Sequence, residues 1–122
     1  MLLKTIPVPA PTSKKPAQKR PVSARRDTLR QVMLCRMHVL ERRRHIALAE
    51  TAVGERVQGT DSECAYFLAD LVEVEEEVAS GVFRSARRRR AFASARYASR
   101  NWTAGDPLLA LFAQLDALYR RC

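Results

Sequence analysis

Seven arginines fall within the seventeen residues from Arg84 to Arg100: Arg84, Arg87, Arg88, Arg89, Arg90, Arg96 and Arg100. A guanidinium is a planar fork of donors that matches phosphate oxygens two at a time and stacks on aromatic faces. Four consecutive arginines on a helix point in four directions, so they cannot share one solvated face. Phe83, Phe92, Tyr97 and Trp102 lie among or beside them. A segment of this kind suits a polyanion touched on several sides, as in an RNA groove, with aromatic rings near enough to stack on unpaired bases. Two plainer readings compete. The arginines form a solvated helix end whose stems cover the core, or they pair with acids of the same chain.

Two further basic clusters could extend such a surface. Arg42, Arg43 and Arg44 form a triplet that would line the same surface if the helices pack antiparallel. Lys14, Lys15, Lys19 and Arg20 sit in a stretch that reads as a nucleic-acid-contacting tail or a nuclear localisation signal. Over about a dozen residues the main run resembles the Arg-rich runs of small plant-virus RNA-binding proteins. In those proteins the run leads into a zinc finger. Here the residues from Ser85 to Tyr97 are followed by no cysteine until Cys122, so the resemblance covers the basic run alone.

Other chemistry finds less support. Asp70, Glu73 and Glu77 fall on one helical face, with Glu63, Glu75 and Glu76 nearby. No histidine, glycine loop or second carboxylate cluster accompanies them, so a solvated face or a patch for a basic segment is expected, and no catalytic residues are assigned. Glu75 lies in an apolar stripe without an evident reason. Cys35 and His38 could share a helix face, but a zinc site needs about four ligands. Cys64, Cys122 or His45 would have to converge on them, so no metal site is assigned. No phosphate-binding loop, nucleophile elbow or Cys/His catalytic pattern is present. The expectation is a protein that is not an enzyme and uses no cofactor.

The composition points the same way. The 122 residues have room for one domain with a modest core. The net charge of +9 favours anionic partners. Arginine outnumbers lysine by 18 to 4, a bias that a GC-rich genome would also produce. Three cysteines in no disulfide spacing read as reduced thiols, two of them packing as small apolar groups. No segment approaches the length of a membrane span and no apolar signal core is present. An intracellular setting is expected, nuclear or cytoplasmic. The acid-free N-terminus also fits mitochondrial matrix targeting, although prolines oppose the amphipathic helix that a transit peptide needs.

The elements that would position these residues are helices. Residues 1–26 hold five prolines, seven cations and no acid. That composition reads as a disordered basic Pro-rich arm. Residues 27–122 then read as an all-α domain, a small bundle of three or four helices. The first helix is expected over about 28–54, with apolar positions at Leu29, Val32, Met33, Met37, Leu40 and Ala47. A second ladder, at Val39, Ile46 and Val53 and reaching back to Val32, suggests packing on two sides. The second helix is expected over 61–80, capped by Asp61 or Ser62, with a stripe at Cys64, Phe67, Leu68, Leu71, Val74 and Val78. The stripe's phase continues through Val82, Ala86, Ala93 and Tyr97. A helix over 82–101 therefore either continues the second or starts anew after Gly81. Asp106 and Pro107 start a last helix over 107–121, with Leu108, Leu111, Phe112, Leu115, Leu118 and Tyr119 facing inward.

These observations favour a non-enzymatic nucleic-acid-binding protein, RNA preferred over DNA because no DNA-binding motif is visible. Its Arg-rich helix and basic arm would contact phosphates, within a ribonucleoprotein or viral context. The alternative is a structural or accessory helical subunit of a large assembly, or a homo-oligomer, acting through its apolar stripes. Membrane-surface binding ranks last, because the Arg run lacks a bulky apolar face.

Overall fold

In a computed structural model the chain is all-α, built from α1 (Pro9–Ala49), α2 (Asp61–Ser80), α3 (Ala93–Asn101) and α4 (Pro107–Arg120). The structure describes residues 9–51, 56–83 and 92–122, with side chains from Ala24 onward. α1 packs along both α2 and α4, and the short α3 closes over α2 and α4.

The expected arm divides at this level. Residues 1–8 lie outside the described residues. The backbone of α1 runs from Pro9, so the helix begins well before the expected residue 28. Pro9 and Pro11 fall in its first turn, where a missing N–H costs little. Pro16 and Pro21 each remove one backbone hydrogen bond, which makes this the weakest stretch of the helix. The first described side chain, Ala24, is already buried, close to the expected boundary at residue 26. At the other end α1 stops at Ala49, short of the expected residue 54. The N–H of Thr51 and its hydroxyl both donate back to the Leu48 carbonyl and close the last turn.

Of the two apolar ladders on α1, the structure buries one. Val32, Cys35, Val39 and Ile46 are core, and Ala24 and Thr28 extend that face. Met33, Met37 and Leu40 are 57, 60 and 48% exposed, as are Leu34 and Leu48 at 40 and 55%. Spacings of four and three residues keep the buried set on one side of the helix and leave the exposed set opposite. The expected core assignment of Met33, Met37 and Leu40 is therefore corrected.

α2 spans Asp61–Ser80 as expected, but its cap is Thr60, not Asp61 or Ser62. The Thr60 hydroxyl accepts from the Glu63 N–H while the Glu63 carboxylate accepts from the Thr60 N–H, a reciprocal capping box. Asp61 is in the first turn, where its charge faces the positive helix end. The helix ends at Gly81, whose φ of 78° is left-handed backbone that a side chain would strain. This breaks the continuous 61–101 helix, and residues 82 and 83 leave α2 without helical structure. The expected helix over 82–101 is represented by α3 alone, and residues 84–91 lie outside the described residues. α4 begins as expected, with the Asp106 carboxylate accepting from the Leu108 N–H and Pro107 in the first turn.

The core centres on Phe67 of α2 and Phe112 of α4, rings 5.0 Å apart and edge to face. Phe92 meets Phe112 at 5.3 Å, and Trp102 meets Phe67 at 5.4 Å. Such edge-to-face pairs set the negative ring face against a positive edge. Leu68 and Leu111, expected in the stripes, are only partly buried, because Phe67 and Phe112 take the innermost positions. Gly59 makes a second close approach. Its φ is 109°, and a Cβ there would stand 2.8 Å from the Trp102 ring.

Two substitutions report on this core. Phe112→Ala should lower unfolding free energy by about 3–5 kcal/mol, through lost burial and the cavity left behind. Gly59→Ala should also destabilise, by roughly 1–3 kcal/mol, since both its backbone and Trp102 must give way. Urea unfolding followed by circular dichroism measures both, and an unchanged midpoint for Phe112→Ala would contradict the packing described.

Candidate nucleic-acid interface

The arginine triplet on α1 is held by acids of the same chain. Arg42 donates to both Asp106 oxygens at 2.8 and 3.0 Å, and also to the Gln58 carbonyl at 3.1 Å. Its guanidinium lies 5.2 Å from the centre of the Trp102 ring, within cation–π range. Gln58 completes the arrangement, donating to Asp106 at 2.8 Å and accepting from the Thr103 N–H at 2.6 Å. The Arg42 and Asp106 side chains are only 15 and 9% exposed. Arg43 pairs with Asp61 at 2.6 Å, and Arg44 with Glu41 at 2.9 Å. Arg42 and Arg43 thus tie α1 to the starts of α4 and α2, with Arg42 the more buried of the two, whereas the exposed Arg44–Glu41 pair stays within α1.

Asp106 illustrates the balance of forces at this bracket. Burial pushes its carboxyl pKa up. The hydrogen bonds from Arg42, the Leu108 N–H and Gln58, with the Arg42 charge, outweigh that and hold it below the ordinary carboxylate value. Arg43 lowers Asp61 in the same sense through their hydrogen bond.

The acidic run is also structural. The Asp70 carboxylate accepts from the Ser94 N–H at 2.9 Å and the Ser94 hydroxyl at 2.7 Å. Burial raises its pKa, and the two Ser94 bonds only partly oppose that. Asp116 of α4 accepts from the Phe92 N–H at 2.7 Å. α3 has no side-chain cap of its own at Phe92, so α2 and α4 supply carboxylates to its first turn. Glu77 is buried and accepts from the Tyr119 hydroxyl. Glu75, unexplained in sequence, pairs with Arg36 across the α1–α2 seam. The expectation of a solvated acidic face is corrected for Asp70 and Glu77.

The aromatics are spoken for as well. Trp102 and Phe92 are 7 and 1% exposed and belong to the core. Tyr97 is half-buried, and its hydroxyl donates to Glu63 at 2.5 Å. That hydrogen bond raises its pKa. Trp102 is therefore not placed to stack on a base. Tyr66, 44% exposed, is the accessible ring of this cluster, 5.7 Å from Tyr97. Burial pushes the Cys35 thiol up to about 12, and Cys64 is raised by the same cause. Among the described residues no three His, Cys, Asp or Glu side chains stand together as metal ligands. Among them, too, no helix is long and apolar enough to cross a membrane.

Of the expected contact residues, Arg96 and Arg100 are exposed on one face of α3, four residues apart. Neither has an acidic partner among the described residues. Arg84, Arg87, Arg88, Arg89 and Arg90 lie outside the described residues. Lys14, Lys15, Lys19 and Arg20 fall on the first turns of α1, where only the backbone is described.

The distribution of charge is informative. The described side chains from Ala24 onward hold twelve cations and twelve carboxylates, and are neutral as a set. The whole excess of nine sits elsewhere. It comprises Lys4, Lys14, Lys15, Lys19 and Arg20, then Arg84 and Arg87 to Arg90, less Glu55. Both basic segments join the bundle at one end. The Arg25 guanidinium lies 3.7 Å from where a Cβ on Gly81 would stand. Thr28 contacts Cys122 at 3.3 Å, and the Phe83 ring stands 6.3 Å from Tyr119. Arg25, Arg26 and Arg121 are exposed at this end too. No protein-family model, curated protein or solved structure matches the chain.

Loss of the Arg42 bracket is testable. Arg42→Ala should destabilise by about 3–5 kcal/mol, because Asp106 stays buried without its counter-charge. Asp106 has a folded pKa below its unfolded one, so its stabilisation is full above the unfolded value and drains away as pH falls through the folded value. Acid unfolding monitored by circular dichroism should therefore begin below about pH 4, and Arg42→Ala should flatten that part of the curve. An unchanged acid limb in the variant would remove Asp106 from this role.

Proposed function

We propose that this protein is a non-enzymatic nucleic-acid-binding protein, RNA preferred, that engages phosphates through its Arg84–Arg100 region and its basic N-terminal segment. The observation that carries the reading is the segregation of charge. A genome-wide preference for arginine would scatter the excess over the surface. Here the described body is neutral, and the excess of nine is confined to two stretches that join the bundle at the same end. A polyanion bound there would meet the protein's excess positive charge concentrated in one region.

The contact set is narrower than the sequence suggests. Arg84, Arg87 to Arg90, Arg96, Arg100, Lys14, Lys15, Lys19 and Arg20 remain candidates, joined by Arg25, Arg26 and Arg121 at the same end. Arg42 and Arg43 serve the fold through Asp106 and Asp61, and Arg44, exposed and paired with Glu41 one turn earlier, stands toward the far end of α1 from these residues. The preference for RNA rests on the absence of a DNA-reading motif and on the many-sided character of the Arg run. A ribonucleoprotein or viral setting follows from the same chemistry, and an intracellular location, nuclear or cytoplasmic, accords with it.

Fluorescence anisotropy with labelled single- and double-stranded RNA and DNA over a salt series tests this. Binding should weaken by about three or more log units per decade of salt, as several released counterions require. The combined substitution Arg87→Ala, Arg88→Ala, Arg90→Ala should reduce that slope by roughly two to three. Arg43→Ala and Arg44→Ala should leave it unchanged. Weak binding, equal for every polyanion and lost at physiological salt, would overturn the proposal.

A further inference from the structure

The outer face of α1 reads as half of a two-fold contact. Asp27, Arg30, Leu34, Met37, Glu41 and Arg44 recur at alternating spacings of three and four residues, which keeps them in one line along the helix. Every one of them is exposed. Read from either end, the line has the same order with charges inverted: acid, base, apolar, apolar, acid, base. Met33 and Leu40 flank its centre and are 57 and 48% exposed.

We propose that a second copy of this chain packs on this face, antiparallel, with the two-fold axis between residues 35 and 36. Leu34 then meets the second copy's Met37. Arg30 meets the second copy's Glu41, and Asp27 meets its Arg44, each pair occurring twice by symmetry. A parallel pairing would set Arg30 against Arg30 and Arg44 against Arg44, so charge selects the antiparallel one. The competing contacts within one chain are exposed pairs one turn apart, Arg30–Asp27 at 3.8 Å, Arg44–Glu41 at 2.9 Å and His45–Glu41 at 3.1 Å. Such pairs are worth little and exchange at low cost. A two-fold interface closes on itself, so the assembly stops at two. One helix per copy is a small contact, and the dimer belongs among weak, reversible ones. The arrangement does not rest on the nucleic-acid reading. If both hold, the basic ends of the two copies lie on the order of 35 Å apart, at opposite ends of the paired helices.

The test is sedimentation equilibrium of the full chain, free of nucleic acid, at low salt over roughly 10 µM to 1 mM. The mass should rise from 13.8 kDa towards twice that value. Arg30→Glu should weaken association about tenfold or more, because by symmetry the substitution acts at two places. Glu41→Arg should do the same, and the two together should restore it. Met37→Glu, at a site 60% exposed in the folded chain, should abolish it with the circular dichroism spectrum unchanged. A monomer at every concentration overturns the proposal. So do assemblies larger than two, or single charge reversals that neither weaken association nor rescue each other.

Discussion

Arg42 and Asp106 form the least exposed ion pair among the described residues, and much of the bundle is organised around them. The pair joins α1 to the start of α4. Through Gln58 it also fixes the loop before α2 and the backbone at Thr103. Its guanidinium covers Trp102, which in turn fills the space that Gly59 leaves open. A buried ion pair gives back little net stability after desolvation, yet its loss leaves one charge stranded. What it supplies here is position. Asp106 caps α4 while held by α1, so the helix start and the crossing of the two helices are set together.

The same economy governs the other acids. Asp70 and Asp116 reach from α2 and α4 to the first turn of α3, a nine-residue helix with no cap of its own. An isolated helix of that length is marginal in water, because nucleation costs more than a few hydrogen bonds return. Carboxylates from its neighbours satisfy its leading N–H groups and fix where it begins. Cations and carboxylates of the body balance one another, which leaves the basic segments as the source of the protein's field.

α1 carries two apolar faces on opposite sides. One meets α2 and α4 and is the spine of the core. The other, from Met33 to Leu48, faces outward. Periodicity alone cannot rank two such ladders, because both have the spacing of a buried stripe. The choice falls to Val32, Cys35, Val39 and Ile46, whose small and β-branched side chains let α1 approach α2 and α4 closely. The longer methionines and leucines are left on the far side.

The sequence by itself determined the all-α class, the break after Ser80 as one of two options, and the start of α4 at Asp106 and Pro107. These are local matters of period, capping and backbone freedom, carried by a few adjacent residues. It also located the basic segments, since charge is a property of composition. Only the tertiary structure decided what the charged residues of the body do. Arg42, Asp70, Glu75 and Asp106 find partners between 24 and 64 residues away along the chain. Trp102 and Phe92, neighbours of arginines in sequence, turn inward for the same reason. Helix packing brings distant positions together, and a side chain that looks free to bind a ligand is then already bound.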